Sequence, residues 1–322
     1  MARSSSGRSL ERIKREIADQ RLRRSSDIRE SDKWDAQRRI TSLRASLFKF
    51  PDENELCRHA IVGGVAALQT YHRGFLADVM EKEAEFRLRG AEMLGEKYFL
   101  GDTLRHIGDE QLSAAELIAH AAPANSVNDL MNWLDHIFGA SFKDLLANAV
   151  HPSVRKNPRG NPPILENVDE VLSALSDIFQ KRHILAHEAA VGYEISADAA
   201  LTALDAIQKW IDATDGVLWQ TILINEPYTQ LKMNFSASDS LFAARKRLAE
   251  AMMRCRDLSD RQQNAALLRN HVAWKNATLE FGEISFGRLD GTMWPAVRAG
   301  VLTALFEARS SALEEWSSYL DM

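Results

Sequence analysis

With 322 residues, 45% hydrophobic and 26% charged, the chain is long enough for two modest domains and too evenly mixed for a disordered or fibrous polymer. Its two cysteines, Cys57 and Cys255, lie far apart and form no CxxC pair, which argues against a disulfide scaffold or cysteine-based zinc site and fits a reducing compartment. The net charge of −5 is uneven, because residues 1–44 hold thirteen Lys/Arg against seven Asp/Glu, a surplus of +6 that leaves −11 for the rest.

The opening "MARSSSGRSLERIKREI" has no apolar h-region, and no apolar run approaches the roughly 18 residues of a membrane span. A cytoplasmic chain with no membrane attachment is therefore expected. Residues 1–9, rich in Ser and Arg, are expected to be disordered. "LERIKREIADQRLRR" (10–24) suits a charged helix with few core contacts, and a second helix is expected over about Asp32–Leu47. Residues 1–50 thus read as a basic arm. Arg12, Lys14, Arg15, Arg21, Arg23 and Arg24 are its candidate contacts to the phosphates of RNA. A solvated, partly helical tail explains the same residues.

Glycine (16) and proline (8) are sparse, and nearly every segment repeats with helical rather than period-two spacing. The fold class is all-α. After the break "KFPDEN", a long helix is expected over about Glu55–Leu88, with Leu56, Ile61, Val65, Leu68, Tyr71, Phe75, Val79 and Phe86 near one face. "HIGDEQLSAAELIAHA" (106–121) offers Asp109 or Ser113 as N-cap. Residues 126–150 hold one or two further helices. "HPSVRKNPRGNPP" (151–163), with four of the eight prolines, is a loop. A helix begins near Leu165, and another follows Ser196 to about Ile222. "NEPYTQLKMNFSASDS" (225–240) has the composition of an interdomain linker. The rest is helical, interrupted by "FGEISFGRLDGTMWP" (281–295).

The stretch "IFQKRHILAHEAAVGYE" (178–194) carries the chemistry. At about 100° per residue, Val168, Val171, Leu172, Leu175, Ile178, Phe179, Leu185 and Ala186 form one apolar stripe, and Arg182 falls near its middle. His183 and His187 sit together at its edge. An arginine is seldom buried without a partner. Either a carboxylate inside the domain pairs with Arg182, or the stripe opens there into a cleft or subunit interface.

Arg182-His183-x-x-x-His187 resembles the motif of the HEPN superfamily, in which an arginine and a polar residue are followed by a closing histidine. The context is similar too. "HAIVGGVAALQTYHRGFLADVME" resembles the long first helix of that fold, "SVNDLMNWLDHIFGASFKDLL" its middle helices and "ADAALTALDAIQKWIDATDGVL" its closing helix. The resemblance spans roughly 55–222. It implies a HEPN-like helical bundle over 51–224 and a metal-independent endoribonuclease, a toxin or antiviral defence effector. In that chemistry His187 does acid–base work, Arg182 holds phosphate and His183 assists. It also implies a homodimer or higher homo-oligomer with the motif facing its own copy, and an antitoxin or sensor protein as further partner. A non-catalytic HEPN interaction scaffold is the alternative.

The final part, 236–322, resembles the N-terminal family of LprI-type lysozyme inhibitors through Trp274, the turn at Gly291, Thr292 and Pro295, and Arg309 with Leu313. It departs from that family in its cysteines, since Cys255 stands alone and Phe281 lies about where a second is expected. A smaller helical domain used for packing, oligomerisation or partner sensing is the expectation. Trp274, Trp294 and Trp316 are expected in its core. No cofactor and no metal are expected: His187-Glu188 opens no HExxH motif because residue 191 is Val, and Gly63-Gly64 opens no phosphate loop because no GK[ST] follows.

Overall fold

The computed structural model describes residues 10–23, 32–94, 112–153, 160–187, 192–287, 289 and 291–321, with the side chains of 20–23 left aside. The expectations for residues 1–9, Arg24, Asp109 and the side chains of Arg21 and Arg23 lie outside the described residues. The chain is all-helical, with twelve helices and no strand among the described residues. It divides into two compact units, 1–224 and 225–322. Among the described residues no helix is long and apolar enough to cross a membrane.

The first unit contains α1 (Leu10–Arg23), α2 (Asp32–Lys49), α3 (Asn54–Lys82), α4 (Ala84–Leu94), α5 (Ala114–Ala121), α6 (Val127–Phe138), α7 (Phe142–Ala147), α8 (Val168–His187) and α9 (Ala197–Thr221). Helix α3 is central. It is apolar on most sides and packs against α2, α4, α5, α8 and α9, with a narrow stripe through Glu55, His59, Ala66, Thr70 and Glu81 left to solvent. The glycine pair noted in the sequence lies in its middle. A Cβ on Gly64 would come within 2.9 Å of both Leu204 and Ile207, so the missing side chain is what admits α9 to this distance.

Local signals set most boundaries. Ser113 caps α5 in a capping box with Glu116, Ser126 caps α6, Ser141 caps α7 and Ser196 caps α9. Gly139 ends α6 in the left-handed region, at φ 63°, where a Cβ is costly. One boundary departs from expectation. The long helix ends at Lys82, and Glu83 turns extended before α4 begins. Beyond the break, Phe86 of α4 packs against Phe138, with ring centroids 5.2 Å apart. No proline or glycine marks the break in the sequence.

The basic arm is also corrected in part. Helix α2 buries Ala36, Ile40, Leu43 and Leu47 in the main core. Helix α1 buries Ile13 and Ile17 against Leu112 and Leu117. Each of the leucines and isoleucines among them contributes about 1.5–3 kcal/mol when fully buried. The described part of residues 1–50 is therefore built into the unit and is not a free tail.

The second unit comprises α10 (Gln230–Leu258), α11 (Arg261–Phe286) and α12 (Trp294–Leu320). The expected linker at 225–240 is helical from Gln230 onward, because Thr229 caps α10 by accepting the Lys232 N–H and the polar run continues unbroken into the apolar one. Ala244, Leu248, Ala251, Met252 and Cys255 form its core with Leu267, Phe306 and Leu313. Arg247 and Arg254 of α10 share Glu314 of α12, at 2.9 and 3.2 Å. The three tryptophans are half-buried and not sealed in the core. Trp274 lies edge-on to Phe306 at 5.3 Å under the guanidinium of Arg309.

Candidate functional site

Helix α8 starts one turn later than the sequence suggests. The side-chain carbonyl of Asn167 accepts the backbone N–H groups of Asp169 (3.0 Å) and Glu170 (3.3 Å), which satisfies donors that the first turn leaves open. Asp169 and Glu170 in the first turn and His187 in the last both suit the helix dipole. Val168, Val171, Leu175, Ile178 and Phe179 are buried, Leu172 and Leu185 are half-buried, and Ala186 is exposed. The apolar stripe therefore leaves the core in the last two turns.

Arg182 sits where it leaves. The side chain is half-buried, and no carboxylate pairs with it among the described residues. The internal Arg–carboxylate bridge, one of the two readings left open by the sequence, is not found there. His183 and His187 are both exposed, with ring centroids 4.9 Å apart and planes tilted by 51°. On the opposite flank, Lys181 pairs with Asp177 at 2.6 Å and is thereby kept from the three. The helix thus exposes His183 and His187 as a pair at its C-terminal end, with the half-buried Arg182 in the same last two turns.

The chain beyond this end is pinned to α3. The Tyr193 carbonyl accepts from Arg58 Nε (2.9 Å) and Nη2 (2.7 Å), while Arg58 Nη1 pairs with Glu55 (2.7 Å). Asn54 Oδ1 accepts the Ile195 N–H at 3.0 Å. These bonds fix residues 193–195 where the chain enters Ser196 and α9. The sequence pattern had not singled out Arg58 or Asn54, because their partners are backbone groups more than 130 positions away.

The arm residues are not gathered with these three by any contact within the described residues. Arg12 is exposed and pairs with Glu16 at 3.2 Å, and Arg15 is exposed. Lys14 is largely covered and pairs with Glu11 at 3.5 Å. The helix expected to present these cations spends one of them on its own packing face.

A polar cluster inside the first unit was missed altogether. Lys33 Nζ lies 2.6 Å from Asp215 Oδ2 and 3.6 Å from Asp212 Oδ1. Gln37 and Gln208 donate to Asp212 at 3.2 and 3.1 Å, and Tyr71 Oη lies 2.7 Å from Thr214 Oγ1. Burial pushes the Asp215 carboxyl up, and the Lys33 ammonium beside it pulls it down by less. The cluster ties α2 to α9. Two acids three apart on an apolar helix were its only mark in the sequence. Because both members of the Lys33–Asp215 pair are mostly covered, Lys33→Met should destabilise the protein by about 3 kcal/mol, by leaving a carboxylate uncompensated. Adding Asp215→Asn should recover most of that loss in urea denaturation. A single variant that unfolds at the wild-type midpoint would mean that water already screens the pair.

Among the described residues no three His, Cys, Asp or Glu side chains converge as metal ligands would. Comparison of the chain with family models, with curated proteins and with solved structures gave no match.

Proposed function

We propose that the protein is a metal-independent endoribonuclease of the HEPN type, acting through Arg182 and His187 with His183 assisting, and serving as a toxin or antiviral defence effector. The observation that supports this reading most is the state of Arg182. It is half-buried in the last two turns of α8, the helix that also exposes His183 and His187, with no carboxylate on it among the described residues. A guanidinium placed so has its planar donors available to phosphate oxygens. Histidine changes protonation near neutrality and can accept the 2'-hydroxyl proton or return one to the departing 5'-oxygen.

In the reaction, the 2'-oxygen attacks the adjacent phosphorus and the bond from phosphorus to the 5'-oxygen breaks. The products are a 2',3'-cyclic phosphate and a 5'-hydroxyl end. Arg182 stabilises the charge that builds on the phosphoryl oxygens. One chain carries one such motif. A two-fold homodimer sets each residue beside its own copy and so doubles the cations and the acid–base groups. Arg12 and Arg15 add sequence-independent phosphate contacts.

The test is cleavage of single-stranded RNA and of tRNA by the full chain in EDTA, with the new ends identified chemically. Cyclic phosphate and 5'-hydroxyl ends are expected. Strict dependence on a divalent ion would rule out this mechanism, and a folded chain inert on every RNA would make it a non-catalytic interaction module.

A further inference from the structure

Helix α10 has two apolar faces, and only one is used within the second unit. Ala244, Leu248, Ala251, Met252 and Cys255 pack inward. At about 100° per residue, Leu231, Phe235, Phe242 and Met253 fall together on the far side, with the small side chains of Ser238 and Ala249 between them. The four large side chains are 64%, 62%, 72% and 61% exposed, a concentration unlike the single apolar residues normally scattered over a surface. Their spacing follows the alternating steps of four and three of helices that pair along their length, from Leu231 through Phe235 and Ser238 to Phe242.

We propose that this face binds a second copy of the same chain, α10 against α10, antiparallel, with the two-fold axis at Phe242. What selects this occupant is the self-complementarity of the stripe. With Phe242 against its own copy, Leu231 comes opposite the partner's Met253, and Phe235 opposite the partner's Ala249. Large meets large at the ends, and large meets small in between. In an antiparallel two-fold pair each flank of the helix faces the same flank of its copy. One flank reads Lys232, Asp239, Lys246, Glu250. In this register Lys232 faces the partner's Glu250, and Asp239 faces the partner's Lys246. The charges alternate so that every one of the four meets its opposite, whereas a parallel pairing would turn this flank toward the other flank of the copy. All four are exposed, and the Lys246–Glu250 pair within the helix is loose at 4.0 Å, so both are available. From Leu231 to Met253 the contact runs about 33 Å. This surface lies wholly in the second unit and does not rest on the ribonuclease reading.

The experiment uses the full chain with single cysteines introduced at Phe242, Leu231 or Met253. The native thiols, Cys57 and Cys255, are both buried. Phe242→Cys sits on the two-fold axis and should cross-link to itself under mild oxidation. Leu231→Cys alone and Met253→Cys alone should not, whereas the Leu231→Cys/Met253→Cys double variant should. In light scattering, Phe242→Glu should halve the solution mass with an unchanged circular dichroism spectrum, because the position is exposed. Lys246→Glu should weaken self-association at least tenfold, and adding Asp239→Lys should restore it. A monomeric wild type overturns the proposal. So does a solution mass indifferent to Phe242→Glu, which would place any dimer on another face. Self-cross-linking at Leu231 and Met253 singly would mean parallel pairing and overturns the register.

Discussion

Replacing His187 by alanine should lower RNA cleavage by about 10²–10⁴-fold, the range supplied by a positioned general acid or base. Arg182→Ala should cost about 10²–10³-fold, as loss of one preorganised charge stabiliser does. The contrast that matters is with stability. His187 is exposed, and Arg182 has no carboxylate on it among the described residues, so both variants should melt close to wild type. Arg182→Lys keeps the charge but loses the planar fork, and should recover only part of the rate. His183→Ala should have the smallest effect of the three. Single-turnover cleavage with parallel thermal melts separates these outcomes. Severe unfolding of Arg182→Ala would show a structural arginine, and full activity of His187→Ala would remove it from the chemistry.

Acid should destabilise the first unit through His72. This side chain is 1% exposed within α3, and its Nε2 has no hydrogen-bond partner among the described residues. Burial, reinforced by the neighbouring Arg73 guanidinium, pushes its pKa down to about 3 from an ordinary 6.5. The folded state therefore holds His72 neutral while the unfolded chain takes up a proton below pH 6.5. The stabilisation is complete above that pH and is lost progressively as the pH falls towards 3. The slope is about 1.4 kcal/mol per pH unit and the total on the order of 5 kcal/mol. Because carboxylates add their own acid sensitivity, the informative quantity is the difference between wild type and His72→Leu. The variant leaves no orphaned nitrogen and should flatten the pH dependence of the urea midpoint between pH 6.5 and 4. Parallel pH profiles for the two proteins would exclude His72 as the source.

Sequence and structure part along a physical line. Helix spacing, serine caps and the scarcity of glycine and proline are local properties, and they sufficed for an all-α chain with α9 beginning at Ser196 and Ser113 among the two candidate caps of α5. The same periodicity put Arg182 on an apolar stripe with His183 and His187 at its edge, so the candidate site was legible as a cluster before any coordinates. What local sequence could not contain was where that stripe ends. Whether Arg182 is sealed in or left at a margin depends on how far α3 and α9 run beside α8, which is a matter of packing between segments distant in the chain.

The same reason underlies each correction. Residues 32–47 look like a charged tail because their apolar positions are few, and only the groove between α3 and α9 turns Ala36, Ile40, Leu43 and Leu47 into core. The break at Glu83 has no proline or glycine to announce it, and Phe86 beyond it packs on Phe138 from a distant segment. Lys33 and Asp215, 182 positions apart, look ordinary until α2 is laid on α9. Leu231 and Phe235 looked like part of a linker until α10 extended through them and left them facing outward. Sequence by itself determined which segments are helical and which residue types lie on each face. Only the tertiary structure decided which faces are covered, because burial belongs to pairs of elements and no single helix carries it.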